Sequence, residues 1–419
     1  MKAKSNDVYR LGEFSLCPGE RRLFKGQQNV ALPPKAFDCL ELLVRRDGGL
    51  VTRSELFAAL WPGIHVSEAN LTNIVVTLRK VLGRDALQTV SKHGYRLMLP
   101  VTGEPGIDHE AYASFIRGKE LLAQRSPDAV EKARNSFWFS LAHDPKFAAA
   151  WAWLGRACRL LEKFGCHSDS NGLAEAAFQR AFAIDAHLAC AHQFYTQFQV
   201  DTGRAAQALV RLVHRLKNLG KDPETFAGLV QVFRYCGLLQ ESLDAHQQAV
   251  CLDPAIRTSV AHTHFVRAEF PRVFETYTGA LYYLDAAAWA ALGARDRAAL
   301  LLRERVAQPA LGKTMMLLMS SLLAVLDGKA QQAVDLMNDS ADIQDPEVLF
   351  YLARHFAMLG NQEGALQMLG RARLAGFWSS YSLRNDPVFS MLQRHSQLQR
   401  EIEEADRLEA HCRSLLQRN

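Results

Sequence analysis

Between Val66 and Arg96 lie the side chains of this sequence best suited to reading a nucleic acid. Asn73 and Thr77 are the first candidates for base edges, with Asn70 and Val76 next. An amide matches the paired donor and acceptor of adenine, a hydroxyl serves either base type, and valine packs against the thymine methyl. Arg79, Lys80 and, further upstream, Arg53 are cations suited to phosphate oxygens. Such contacts fix register without specifying sequence. Lys92, His93 and Arg96 form a second basic group, in which Arg96 is open between a DNA contact and a brace. Tyr95 reads as core beneath them.

These side chains need a helix and a hairpin to hold them. Ser67 is a good N-cap residue, and Glu68 places an acid in the first turn, where the helix dipole favours it. Leu71, Val75, Leu78 and Leu82 recur at one-face spacing, so a helix is expected over 68–82 with Asn70, Asn73, Thr77 and Lys80 opposite. Gly83 ends it. Thr89-Val-Ser then alternates as a strand into a turn at Lys92-His-Gly94, and Tyr95-Arg-Leu-Met returns. Upstream, short apolar runs over 8–31 predict a small antiparallel sheet. Pro33-Pro34 opens a helix through Arg46, and Thr52 with Glu55 forms a capping box for another that ends near Trp61-Pro62-Gly63.

Several blocks in this order carry a resemblance: Leu32-Pro33-Pro34-Lys35-Ala-Phe37, Leu50-Val51-Thr52-Arg53-Ser-Glu55-Leu56, Leu60-Trp61-Pro62, Leu78-Arg79-Lys80-Val81-Leu82-Gly83 and Gly94-Tyr95-Arg96-Leu97. Together, over 8–100, they resemble the effector domain of OmpR/PhoB-type response regulators, in the ToxR/CadC branch where it stands first. The resemblance implies a winged helix-turn-helix whose helix 68–82 enters the major groove of double-stranded DNA. It also implies a wing, 89–97, on the flanking groove and a Trp61–His65 loop that can touch RNA polymerase. The simpler reading of Trp61 is a core residue. No receiver domain precedes these blocks and no membrane helix follows, so control by phosphorylation or a periplasmic signal is not expected.

Charge follows the same division. The 419 residues carry a net charge of +5, of which residues 1–100 hold +6 and the remainder −1. A polyanion-binding domain joined to a neutral partner has this distribution. The eight cysteines show no paired spacing and read as reduced thiols of a cytoplasmic protein. The longest uncharged run in the middle of the chain, Thr314–Leu326, is too short to cross a bilayer.

After a linker at 102–110, the segment 111–419 is Ala-, Leu- and Gln-rich and repeats. A glycine followed five residues later by a small residue recurs at Gly203/Ala208, Gly237/Ser242, Gly293/Ala298, Gly328/Ala333 and Gly360/Ala365. The spacing is near 34, that of the tetratricopeptide repeat, except for one gap of 56 that conceals a degenerate unit around 255–280. Roughly seven repeats stacked into a superhelix with a concave face are expected. The charged helix near Ser396–Gln417 would cap the array or pair with a second subunit.

Other chemistries find little support. His187-x2-Cys190-x-His192 and His262-x-His264 lack zinc-finger spacing. No phosphate-binding loop, nucleophile elbow or HExxH is present, and the aromatic residues Trp138, Trp151, Trp153, Tyr282, Tyr283 and Trp289 read as repeat core. The sequence therefore predicts an α+β winged helix-turn-helix domain over 1–101 and an all-α repeat superhelix, with no enzymatic activity and no cofactor. DNA is the expected ligand, at about five phosphates and a log–log salt slope near −4 to −5. The repeats would take an input, from a dimer partner, a regulatory protein or a small ligand. A scaffold whose two parts both bind proteins is the competing reading.

Overall fold

The structure, a computed structural model, describes residues 9–418 apart from 19–20, 26–27, 47, 63, 65, 103–108, 125, 165–169, 277–282, 308–311 and 342. Two compact units divide between Tyr112 and Ala113, with Leu252–Pro254 grouped with the first.

In the first unit, β1 (Tyr9–Leu11), β2 (Phe14–Cys17), β3 (Arg22–Lys25) and β4 (Gln28–Val30) form an antiparallel meander. Leu11, Leu16 and Leu23 turn inward from successive strands. Helix α1 (Pro34–Arg45) follows, with Phe37, Leu40 and Leu43 on its buried face. Strand β5 (Leu50–Thr52) leads directly into α2 (Arg53–Leu60) through a complete capping box: Glu55 N–H donates to Thr52 Oγ1 at 3.2 Å, and Thr52 N–H donates to Glu55 Oε2 at 2.8 Å. Helix α3 (Glu68–Leu82) buries Leu71, Val75, Leu78 and Leu82, as their spacing predicts. Ser67 stands at its N-cap position but its hydroxyl makes no capping bond. Strands β6 (Leu87–Val90) and β7 (Gly94–Leu97) form the hairpin, and β5 adds to it in the order β5-β7-β6. Finally β8 (Val101–Thr102) closes the first sheet against β1.

The second unit is built from helix pairs. The first four are His109–Ala123 with Pro127–His143, Ala148–Lys163 with Ser170–Ile184, Ala189–Asp201 with Ala205–Leu219, and Pro223–Tyr235 with Leu239–Leu252. The next four are Val260–Val266 with Phe270–Thr276, Leu284–Ala291 with Arg295–Val306, Lys313–Leu326 with Ala330–Asn338, and Pro346–Met358 with Gln362–Ala375. All five glycines of the repeat signature lie at positive φ, between 71° and 83°. At each, the residue after the glycine donates its N–H to a carbonyl five residues back, as Arg204 does to Gln199 and Leu238 to Phe233. This is the Schellman helix end, which needs a left-handed residue. The partners Ala208, Ser242, Ala298, Ala333 and Ala365 are fully buried between the helices.

The degenerate unit obeys the same rule with a different residue. Ala268 takes the turn at φ 59°, Glu269 N–H reaches His264 O at 2.9 Å, and Val273, five residues on, is fully buried. Its two helices have only seven residues each, and with them the described residues form eight pairs, one more than the spacing suggests.

The stacked helix pairs also touch one another across the concave face. An open solenoid touches only neighbouring repeats. Here Arg234 of the fourth pair is ion-paired with Glu347 of the eighth, Nε to Oε1 at 3.1 Å, and both side chains are almost wholly buried. Tyr235 and Tyr351 donate hydroxyls to the same carboxylate. Burial alone would raise the Glu347 pKa, but Arg234, helped by His262, holds it well below the usual carboxylate range. Lys163 of the second pair bonds Asp345 at 2.9 Å, and a Cβ on Gly203 would come within 2.6 Å of Ala375 O. The array is folded back on its own inner face. Leu398, Ile402, Ala405 and Cys412 of Ser396–Arg418 are buried, and Glu409 Oε1 accepts from Ser380 N–H at 2.7 Å, so this helix caps the array. The aromatic residues divide: Tyr283 is buried, whereas Trp138 is 42% exposed and packs edge-on against Trp151; Tyr282 lies outside the described residues.

His355 gives this packing a pH dependence. It is fully enclosed between Tyr283 Oη (2.7 Å) and Ser321 Oγ (3.0 Å), and burial, then Arg354, pushes its pKa down to about 3. The unfolded chain protonates this ring below about pH 6.5 while the folded array does not, so stability is full above that pH and falls towards pH 3, by about 2 kcal/mol at pH 5. Urea titrations at pH 7 and pH 5 should show the loss, and His355→Gln should flatten most of it.

Candidate nucleic-acid interface

Helix α3 lies between a bed of leucines and open solvent. Ala69, Asn73, Val76 and Lys80 recur at i, i+4, i+7 and i+11 and are exposed, the mirror image of the buried Leu71, Val75, Leu78 and Leu82. Val76 keeps 44% of its surface although it is a large apolar residue in a small domain. Asn70 is exposed on one flank, and Thr77 beside it is half-buried with its hydroxyl donating to Asn73 O at 2.9 Å. On the opposite flank stands Thr72, exposed, donating to Glu68 O at 3.1 Å. Thr72 and Ala69 were not among the residues singled out from sequence. The helical wheel finds both, because the solvent stripe is simply the buried stripe rotated by half a turn.

Two of the arginines have work inside the domain. Arg79 donates from Nη2 to Leu87 O at 2.8 Å and to Thr89 Oγ1 at 2.7 Å, tying α3 to the first strand of the hairpin. Arg53 pairs with Glu68 at the start of α3, lies over the Tyr95 ring at 5.9 Å, and donates its backbone N–H to His93 O at 2.8 Å. Both therefore fix the angle between helix and hairpin. Lys80, Arg84 and Lys92 are exposed and have no ion-pair partner among the described residues. Arg84, on the 3-10 turn after α3, is another position the sequence reading passed over. Lys92 sits at the hairpin tip with φ 63°, beside His93, whose Nδ1 is 2.7 Å from Ser91 O. Arg96 lies on the central strand opposite Leu50 and Gln88, half-buried and away from the tip. Tyr95 is 4% exposed and belongs to the core.

The hairpin owes its third strand to one glycine. A Cβ on Gly94 would stand 2.0 Å from Val51 O and 2.9 Å from Thr52 Cα, so β5 can pair with β7 only where no side chain intervenes. Gly94→Ala should therefore cost about 1–3 kcal/mol of domain stability, the range for overpacking against backbone. Hydrogen exchange across Val51–Thr52 would report the loosened edge, and unchanged protection there would count against this account. Trp61, half-buried, packs on Phe57 with ring centroids 5.7 Å apart, and Ile64 beyond it is 65% exposed. Gly63 and His65 of that loop lie outside the described residues. Lys35 Nζ donates to Leu60 O at 2.5 Å, tying α1 to the end of α2.

The metal candidates are dispersed. His192 Nε2 faces Ala186 O, His262 faces Tyr351, and His264 pairs with Glu269. No group of three or more His, Cys, Asp or Glu residues that could hold a metal occurs among the described residues. Cys39, Cys158, Cys236 and Cys412 are buried free thiols, Cys251 is exposed, and burial, with Asp38, pushes the Cys39 thiol up to about 12. No helix among the described residues is long and apolar enough to cross a membrane.

A meander, three helices and a basic hairpin, with a solvent-facing stripe on the third helix, define a winged helix-turn-helix domain of the OmpR/PhoB type. Residues 26–97 match the family described as "Transcriptional regulatory protein, C terminal". The chain is 30% identical over 130 residues to the transcriptional activator CadC of Escherichia coli, a match covering 30% of this chain and 24% of CadC. It is 29% identical over 91 residues to the transcriptional regulatory protein TcrA of Mycobacterium tuberculosis, covering 20% of this chain and 36% of TcrA. The chain thus spans about a third or less of the length of these curated relatives. The solved DNA-binding domain of E. coli CadC aligns over its whole length with 24% of this chain, at 27% identity and a TM-score of 0.22.

Proposed function

We propose that this chain is a bacterial transcription regulator that binds double-stranded DNA through its first domain and is controlled through its helical repeats. The observation that carries this reading is the solvent stripe of α3, Ala69, Asn73, Val76 and Lys80, open along the helix directly opposite the stripe that anchors it. Inserted in the major groove, Asn73 and Val76 meet base edges at the centre, with Asn70, Thr72 and Thr77 on the flanks. Lys80, Arg84, Lys92 and His93 reach phosphates or the flanking groove. Arg53 and Arg79 act chiefly by holding helix and wing at one angle, with Arg96 bracing the wing.

One such domain offers limited contact area, so two copies on neighbouring half-sites, or a partner, complete specific binding. RNA polymerase contacts belong to the Trp61–Ile64 loop, where Ile64 is open. The protein works in the cytoplasm, as a DNA reader must, and performs no catalysis. Fluorescence anisotropy against a pool of genomic fragments tests the proposal. Asn73→Ala should relax sequence preference by about 1–3 kcal/mol at one position, whereas Lys80→Ala should weaken all sequences evenly. Failure to retain any fragment would leave the scaffold reading in its place.

A further inference from the structure

A pocket of about 260 Å3, open on one side to solvent, lies in the repeat unit, walled by Phe270, Tyr283, Ala287, Ala290, Leu322 and Met358 along its apolar side. At its polar end stand Arg354 and Asp386. The volume is created by small residues: Ala287 and Ala290 stand where longer side chains would close it.

Arg354 makes the void chemically specific. Its side chain is 5% exposed and pairs with Asp386, whose other oxygen accepts the Val388 N–H at 3.1 Å. The guanidinium lies 4.7 Å from the Phe265 ring centroid and 5.5 Å from that of Phe270. No other acceptor bonds Arg354 among the described residues. An arginine has five N–H donors, so a buried one with a single carboxylate partner leaves donors facing the cavity it lines. Its charge, however, is already balanced by Asp386. His355 beside it is held neutral by burial, so the end of the cavity offers donors without net charge.

We propose that this cavity is an effector site for a small, uncharged organic molecule with an apolar tail and a carbonyl-type acceptor, such as a short-chain amide or ester. The acceptor takes the open N–H edge of Arg354, and the tail lies along Ala287, Ala290, Leu322 and Met358. A carboxylate is disfavoured because it would place a second anion beside Asp386. The volume admits about nine atoms at roughly 30 Å3 each, the share of one water in the liquid. This site stands independently of the DNA-binding reading.

Thermal denaturation of the full chain with hexanamide, hexanoate and hexylamine tests it. Hexanamide at ten times its Kd should raise Tm by about 2–4 °C, hexanoate less, and hexylamine not at all. Ala290→Leu fills the cavity without touching Arg354, and should abolish the hexanamide shift while leaving the protein folded. Arg354→Met should do the same if it folds. No shift with hexanamide, a shift that survives Ala290→Leu, or an equal response to hexylamine would each overturn the proposal. A stronger response to hexanoate would overturn the assignment to uncharged ligands.

Discussion

Raising salt from 50 to 200 mM should weaken DNA binding by roughly 40-fold if one copy of the domain binds, and by roughly two-thousandfold if two bind together. The estimate starts from the cations left over after the fold has taken its share. Arg79 is committed to Leu87 O and Thr89, and Arg53 to Glu68 and Tyr95. Lys80, Arg84 and Lys92 remain exposed without ion-pair partners among the described residues. Three phosphates give a log–log slope near −2.7, and six give one near −5.4, at about −0.9 per phosphate. The slope near −4 to −5 expected from sequence corresponds to about five phosphates. Anisotropy titrations on one recovered fragment would measure the slope directly. A flat line would remove DNA as the ligand, and a single-domain slope on a site with two half-sites would argue against paired binding.

Glu347→Ala should cost the repeat unit about 3–5 kcal/mol, the penalty for leaving a buried charge without its partner. Arg234 has a side chain only 2% exposed, and its other hydrogen bonds among the described residues go to the Ser259 hydroxyl and carbonyl. For a unit of about 300 residues the loss lowers Tm by roughly 5–8 °C. The carboxylate also protects only while ionised. Because its folded pKa lies below the unfolded one, its contribution is complete above about pH 4.3 and fades as pH falls further. Replacing both partners, with Arg234→Met and Glu347→Leu, should recover only part of the loss, because the buried Tyr235 and Tyr351 hydroxyls also lose their acceptor. A Tm unchanged in the single variant would mean that the fourth and eighth pairs do not depend on this link.

Local features were legible in the sequence because local forces decide them. The α3 boundaries follow from Ser67, the leucine spacing and Gly83, and the structure places the helix at Glu68–Leu82. The five turn glycines and their buried partners follow from the left-handed turn and close helix approach. Strand β5 escaped because three residues are too few to show alternation, and its pairing depends on Gly94, more than forty positions away. The turn at Ala268 escaped because alanine is not the residue that left-handed backbone favours. Arg53 and Arg79 were recognised as cations near DNA, but their internal acceptors, Glu68 and Leu87 O, become visible only once the helix and the hairpin are in place. Closure of the repeat array was invisible for a related reason. Nothing in the local sequence around Arg234 announces a partner 113 positions later.

That separation has a consequence for how the protein is made. Chains emerge from the ribosome at about 5–20 residues per second, and domains fold as they become complete. The winged helix is complete once β8 has appeared, at Thr102. The repeat unit cannot form its Arg234–Glu347 link until some 245 further residues have followed. At that synthesis rate the interval lasts roughly 12–50 seconds. Throughout it, every newborn molecule carries a finished winged helix and an array that has not yet closed.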